Sequence, residues 1–409
     1  MKIWFKYLIG ILLGFAAACL LPSANPQVLS AVSFITELFV RFGCYILLPL
    51  IFSSALIAVF NLADSGILIK TSIWTILVIT ASSLLLTFTG LLSILIIHLP
   101  RIPITVEKVS TVTLLELPAM IRQVFPYSVL ETLQQGTFLL PSFLFGCVVA
   151  LSCIYDRSIS KPVVQLADSF SKVCYQIMTF FIEVLSIGMI AIMTNWTIQF
   201  RSVITAGTFT PLIFMLLGDL LLVAVIIYPA ILHFGFHDPH PFRVLYAGLA
   251  SLFTAFFSGN SNLTLPLTII QCKDSLGIRR RLSGFSTTLF SIFARGGSAL
   301  VITVGFVVIW RSYSSLGMAF SDVIWLTVTA FLLSFALGNM PSGGAFFALT
   351  VLCSMYSRGF ETGYLLLKPA AAIIGSFAAA IDAVTVMYGS YIISIKTETI
   401  QHREARHFI

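Results

Sequence analysis

Long apolar runs, one after another, leave this chain few choices of fold. Eight segments reach the length, about 20 residues, at which a helix crosses a bilayer: 4–21, 28–62, 72–99, 136–155, 173–196, 205–234, 285–310 and 365–395. In hydrocarbon each backbone N–H and C=O must find a partner within the protein, so such runs become helices. Composition closes the alternative. Of 409 residues 58% are hydrophobic and 10% charged, where a soluble domain carries about 25% charged. A soluble enzyme, a disordered chain and a disulfide scaffold are excluded. The expected class is an all-α polytopic membrane protein.

The net charge of +7 belongs to cytoplasmic loops, which collect Lys and Arg, and no nucleic-acid partner is expected. With the N-terminus cytoplasmic, fourteen basic residues fall inside, among them Lys2, Lys70, Arg157 and Arg279-Arg280-Arg281, and six outside. Lys2, Lys6 and Ala16-Ala17-Ala18-Cys19 around the run 4–21 also fit a signal peptide. The spans that follow make it a first transmembrane helix instead. The seven cysteines form no CxxC pair and read as small buried hydrophobes, so neither a disulfide framework nor a metal site is expected.

Beyond residue 242 the pattern changes. A short apolar arm, 242–257, is broken by polar residues over 258–266, and a second arm runs to Cys272. The span 285–310 is interrupted at Ala294-Arg295-Gly296-Gly297-Ser298. The sequence then repeats itself: a short arm, 323–337, a tip at 338–344, an arm to Tyr356, and a span carrying Asp382 and Gly389-Ser390. Short, Gly/Pro-interrupted segments in corresponding positions point to a transporter's binding site between inverted repeats. The orientation above requires both hairpins to be re-entrant, one from each side.

Several stretches resemble one family in chain order. Phe39-Val40-Arg41 with Leu48-Pro49-Leu50-Ile51-Phe52-Ser53-Ser54 is similar to the second helix of the dicarboxylate/amino acid:cation symporters, the glutamate-transporter family. The stretch 258–266 resembles its first hairpin tip, 338–344 its second, and Ile381-Asp382-Ala383 the start of its final-helix motif. The resemblance implies eight transmembrane helices plus two re-entrant hairpins in an elevator-type symporter. It also implies a homotrimer in the plasma (inner) membrane, with lipid around it and both termini cytoplasmic. Residues 1–236 would be mainly scaffold and trimerisation helices, with the third and sixth spans moving with the transport domain. That domain would be 237–396, and 397–409 a cytoplasmic tail.

The departures carry equal weight. The family's sodium-binding Asn-Met-Asp-Gly-Thr motif matches Ala294-Arg295-Gly296-Gly297-Ser298, and its substrate and sodium ligands on the last helix match Val386, Gly389, Ile393 and Thr397. The sodium sites therefore look degraded, and no cofactor is expected. The candidate substrate residues are Ser261, Asn262, Arg295, Ser298, Asn339, Met340, Pro341, Ser342, Gly343, Asp382 and Ser390. Helix N-termini at the hairpin tips would favour an anion. Arg295 is the sharpest of these residues, because a guanidinium inside a span is costly and does not deprotonate. Two anions fit it, Asp382 and the substrate. Asp382 is also a candidate proton carrier, and Glu183 and Asp219 lie within spans as well. The expected function is secondary transport of a small organic anion such as a dicarboxylate or amino acid. An anion channel or cation-independent uniporter is the alternative. The six histidines stand at span ends or in loops, which argues against an intramembrane enzyme.

Overall fold

The structure, a computed structural model, describes all residues except 1, 23–24, 104–123, 129–130, 132–137, 206, 315–316, 341, 358, 402–407 and 409; for Ser202 and Asn339 it describes the backbone alone. Among the described residues there are helices and connecting turns but no strand. The first group is α1 (Ile3–Leu20), α2 (Pro26–Cys44), α3 (Leu47–Asp64), α4 (Leu68–Ile96), α5 (Leu140–Tyr155), α6 (Arg157–Thr205) and α7 (Thr210–Gly235). The second is α8 (Leu249–Ser258), α9 (Ser261–Ile270), α10 (280–293), α11 (Gly296–Tyr313), α12 (Phe320–Ala336), α13 (Gly344–Tyr356) and α14 (Ala371–Lys396).

Seven helices or jointed helix pairs are long and apolar enough to cross a membrane. The eighth expected span, 136–155, is α5, a helix of 16 residues. The polar stretch before it lies largely outside the described residues. A proline inside a long apolar run such as 28–62 reads as a bend, yet this run breaks before Pro49, at Tyr45-Ile46 between α2 and α3. Pro49 is the third residue of α3, where its missing N–H is one that no intrahelical carbonyl would have bonded, so proline opens this helix rather than kinking it. The run 173–196 is the middle of the 49-residue α6, about 74 Å long at 1.5 Å per residue. In α7, π turns at Leu222–Ile227 and Ile231–Gly235 flank Pro229, whose lost N–H disturbs the ladder locally.

α1 lies against α6 through Gly10 and Gly14, a Gly-xxx-Gly pair. A Cβ at these positions would stand 2.6 Å from the Ser186 carbonyl oxygen and 2.5 Å from that of Ile190. Small residues let helices approach this closely where lipid removes the hydrophobic drive between them. The opposite face of α1 exposes Leu12, Phe15 and Leu20, as a lipid-facing surface would.

Burial separates two spans from the rest. Over its most apolar window Arg280–Tyr313 is 94% buried and Gly363–Lys396 83%, against 33–56% for the other spans. The interrupted helices α10–α11 and the last helix α14 are thus enclosed by protein, the setting in which non-helical backbone is tolerated at membrane depth. Gly14→Leu is expected to force α1 off α6 and to destabilise the protein by about 1–3 kcal/mol, the usual cost of overpacking. A lowered unfolding midpoint in detergent measures it, and an unchanged midpoint contradicts the packing.

Candidate functional site

Three local interruptions build the site. At the first tip α8 ends at Ser258, Gly259 takes the left-handed conformation (φ 59°), and Asn260 caps α9. The Asn260 Oδ1 accepts from the N–H of Asn262 at 2.9 Å and of Leu263 at 3.4 Å. The helix therefore resumes at Ser261, and the break is narrower than the expected 258–266, with Pro266 inside α9. At the second tip α12 gives way to a 3-10 turn, Leu337–Asn339, and Gly343 (φ 70°) precedes α13. An antiparallel bridge between Asn260 and Ser342 brings the two tips together.

The third interruption is the joint between α10 and α11. Ala294 and Arg295 leave the helical conformation, and α11 starts at Gly296. Two glycines are needed here. A Cβ on Gly296 would stand 2.9 Å from the Cα of Ser83, and one on Gly297 2.8 Å from the backbone nitrogen of Asp382. The start of α11 is thereby wedged between α4 and α14, within reach of the Asp382 carboxylate. Asp382 Oδ1 accepts from the N–H of Gly297 at 2.7 Å and of Ser298 at 3.3 Å, and Oδ2 accepts from Ser298 Oγ at 2.8 Å. A carboxylate from another helix thus caps α11 at its positive end.

Arg295 stands beside this cap. Its Nη1 lies 3.9 Å from Asp382 Oδ2, with the two side chains 5% and 3% exposed. Its Nε is buried and has no hydrogen-bond partner. A buried donor without an acceptor is costly, more so on a charged group. The guanidinium faces a small enclosure of about 10 Å³ lined by Ser261, Thr264, Leu265 and Thr268 of α9, Ser291 and Ala294, and Asp382, Ala383 and Val386 of α14. That is space for about one water-sized group. A larger cavity of about 230 Å³ lies at the tips, lined by Ser258, Gly259, Ser342, Gly343, Trp196 and Ser376 among others, with Trp196 Nε1 donating to Ser376 Oγ at 3.0 Å.

The structure thus brings Ser261, Arg295, Ser298 and Asp382 together, and sets Ser342 and Gly343 at the adjoining cavity. Asn262 is buried at the start of α9, and Met340 is partly buried at the second tip. Pro341 lies outside the described residues, as does the side chain of Asn339. Ser390 stands apart, its Oγ 3.2 Å from Thr287 Oγ1. At the first tip Asn260 takes two N–H groups at the start of α9, at the joint Asp382 takes two of α11, and at the second tip α13 starts with no side-chain cap. Glu183 pairs with Lys6 at 3.3 Å, and Asp219 accepts from Ser93 Oγ at 3.1 Å. The lining residues Thr264, Thr268, Ser291 and Val386 were not among the expected site residues. A signal for part of this set exists, since Ser261, Thr264 and Thr268 recur at helical spacing on one face of α9. Among the described residues no group of three or more His, Cys, Asp or Glu side chains is placed to hold a metal.

The profile of the sodium:dicarboxylate symporter family matches residues 2–395. The chain belongs to that family. It is similar to the serine/threonine transporter SstT of Streptococcus thermophilus, 26% identical over 203 residues, 49% of this chain and 49% of that protein. It is also similar to the neutral amino acid transporter B(0) of Homo sapiens, 29% identical over 114 residues (28% of this chain, 21% of that protein). A third relative is the putative sodium-dependent excitatory amino acid transporter glt-6 of Caenorhabditis elegans, 26% identical over 131 residues, 32% of this chain and 24% of that protein. The chain spans about half or less of the length of these relatives. The symporter family is one of membrane transporters, not enzymes.

In this symporter-family chain Asp382→Ala would remove the α11 cap and leave Arg295 buried without its anion. Breaking such a pair from one side costs about 3–5 kcal/mol. The unfolding midpoint of the purified variant should fall accordingly, and the double variant Arg295→Met/Asp382→Asn should regain part of the loss. A single variant as stable as the parent contradicts the capping role.

Proposed function

We propose that this chain is a secondary transporter that carries a small organic anion across the plasma (inner) membrane by an elevator motion. In this reading it is a homotrimer with cytoplasmic termini, and both helix–tip–helix segments, α8–α9 and α12–α13, are re-entrant hairpins. Residues 237–396 form the moving domain and the early helices the scaffold. Family membership supports transport, and the names of the relatives point to amino acids as substrates of those proteins.

One observation carries the anion reading: the buried Arg295 Nε without a partner, facing an enclosure between the first tip, the α10–α11 joint and α14. The remaining donors of the guanidinium are the substrate's ligand, and Ser261 and the second tip close over it. The same residue argues against sodium at the joint. A fixed positive charge repels a cation beside it, and Asp382, the one acid among the described residues of the lining, already accepts three hydrogen bonds. Coupling to sodium is therefore lost at this joint. A cation-independent exchanger or uniporter on the same scaffold is the second reading, favoured by the same arginine.

Counterflow in proteoliposomes tests this. Preloading with an unlabelled organic anion should drive accumulation of the labelled one equally in sodium and in choline buffer. Arg295→Met should reduce it at least about tenfold, equivalent to about 1.4 kcal/mol. Uptake that requires sodium contradicts the coupling claim, and unitary current without counterflow makes the protein a channel.

A further inference from the structure

We infer that a second site, separate from the Arg295 enclosure, holds the headgroup phosphate of an anionic phospholipid where α4 and α11 end and α12 begins. α1, α2–α3 and α4 cross the membrane in turn, so this end of α4 lies at the face opposite the N-terminus of α1. The site is independent of what the protein carries.

Three basic side chains line a cavity of about 450 Å³ there: His98 and Arg101 beyond the end of α4, and Arg311 in the last turn of α11. The described lining holds no acid. The volume is that of a small-molecule site, about 300–1,000 Å³. Arg311 is held in place, its Nη2 donating to the Ile94 carbonyl at 2.9 Å and its Nη1 to that of Ile97 at 3.3 Å. These carbonyls belong to the open C-terminal end of α4, where a cation is favourable. Neutral acceptors leave the guanidinium its full charge, and it has more N–H groups than these two bonds use. Arg101 is exposed. Neither arginine has an ion-pair partner among the described residues. Two guanidinium forks suit the oxygens of a phosphate.

The surroundings make that phosphate a lipid's. Trp310, also in the lining, stacks on Phe360 at 5.1 Å and meets Tyr356 edge-on at 5.2 Å, and Tyr313 lies 5.8 Å from Phe360. Aromatic clusters at span ends mark the level of the headgroups. The cavity's other walls, Leu99, Val307 and Met318 among them, are apolar. From its rim two exposed apolar stripes lead away from the membrane surface, Phe88, Leu92 and Leu95 on α4 and Ile324, Val328 and Leu332 on α12. The two helices pack against each other. A free phosphate would meet the cations and leave these stripes uncovered. A phospholipid meets both, with its headgroup in the cavity and its acyl chains along the stripes, where apolar burial is favourable. A zwitterionic lipid brings an ammonium that the arginines repel.

The test is native mass spectrometry of the full chain, released from detergent micelles doped with phosphatidylglycerol, phosphatidylcholine or sn-glycerol 3-phosphate. Each cation near the surface strengthens binding of an anionic lipid about fivefold. Phosphatidylglycerol should therefore bind at least about tenfold tighter than phosphatidylcholine. Arg101→Gln should weaken it about fivefold and Arg101→Glu about tenfold or more. Arg101 is exposed, so both variants should keep the parent's unfolding midpoint. Arg201→Glu, at an exposed arginine near the end of α6 on the same membrane face, should bind phosphatidylglycerol like the parent. Equal affinity for the two lipids, or an Arg101→Glu protein that binds phosphatidylglycerol like the parent, overturns the inference. Glycerol phosphate bound as tightly as the lipid, and lost in Arg101→Glu, makes this a site for soluble anions and overturns the lipid assignment. No retained adduct of any of the three overturns the site altogether.

Discussion

Asp382 accepts hydrogen bonds from two backbone N–H groups of a helix that begins inside the protein, and the rest of the interior depends on that contact. A helix that starts at membrane depth exposes orphan donors that no water can reach. A carboxylate from α14 solves this for α11. The approach it requires is permitted by Gly296 and Gly297, whose missing side chains let α4 and α14 close on the joint. Once Asp382 is fixed, Arg295 is held beside it and lines the enclosure, with its Nε unpartnered.

The same logic organises the two tips. Each is a place where the backbone stops being helical; the first runs into buried Ser261 and Asn262, whereas Ser342 and Gly343 of the second are exposed. Asn260 supplies the cap at the first. The 3-10 turn and Gly343 shape the second, and Gly338 fits against the Ile292 carbonyl, where a Cβ would stand 2.7 Å away. The ends of α9 and α11 are capped from within, and Arg295 Nε is a buried donor without a hydrogen-bond partner.

Much of this was readable from the residues. The apolar runs, the two polar tips and the interruption at 294–298 all follow from helical backbone needs and the places where Gly, Asn and Pro disturb them. The pairing of Arg295 with Asp382 was one of two options, because charge balance alone does not say whether a protein or a ligand supplies the anion. Finer features depended on tertiary geometry. Pro49 reads as a bend, yet only the capless start of α3 shows that it opens a helix. Ser390 reads as part of a final-helix site, yet its neighbour is Thr287. The line of Ser261, Thr264 and Thr268 was visible as a spacing, but which face of α9 meets Arg295 is decided by packing.

The most direct test of the central claim is a spectrum of the guanidinium itself. Solid-state NMR of arginine 15Nε in the reconstituted protein assigns the Arg295 signal by its absence in Arg295→Lys. The account predicts that this signal shifts when a small carboxylate is added as its choline salt, and does not move with sodium chloride. A resonance indifferent to every carboxylate, in protein that still exchanges substrate, would contradict it and confine Arg295 to a structural ion pair.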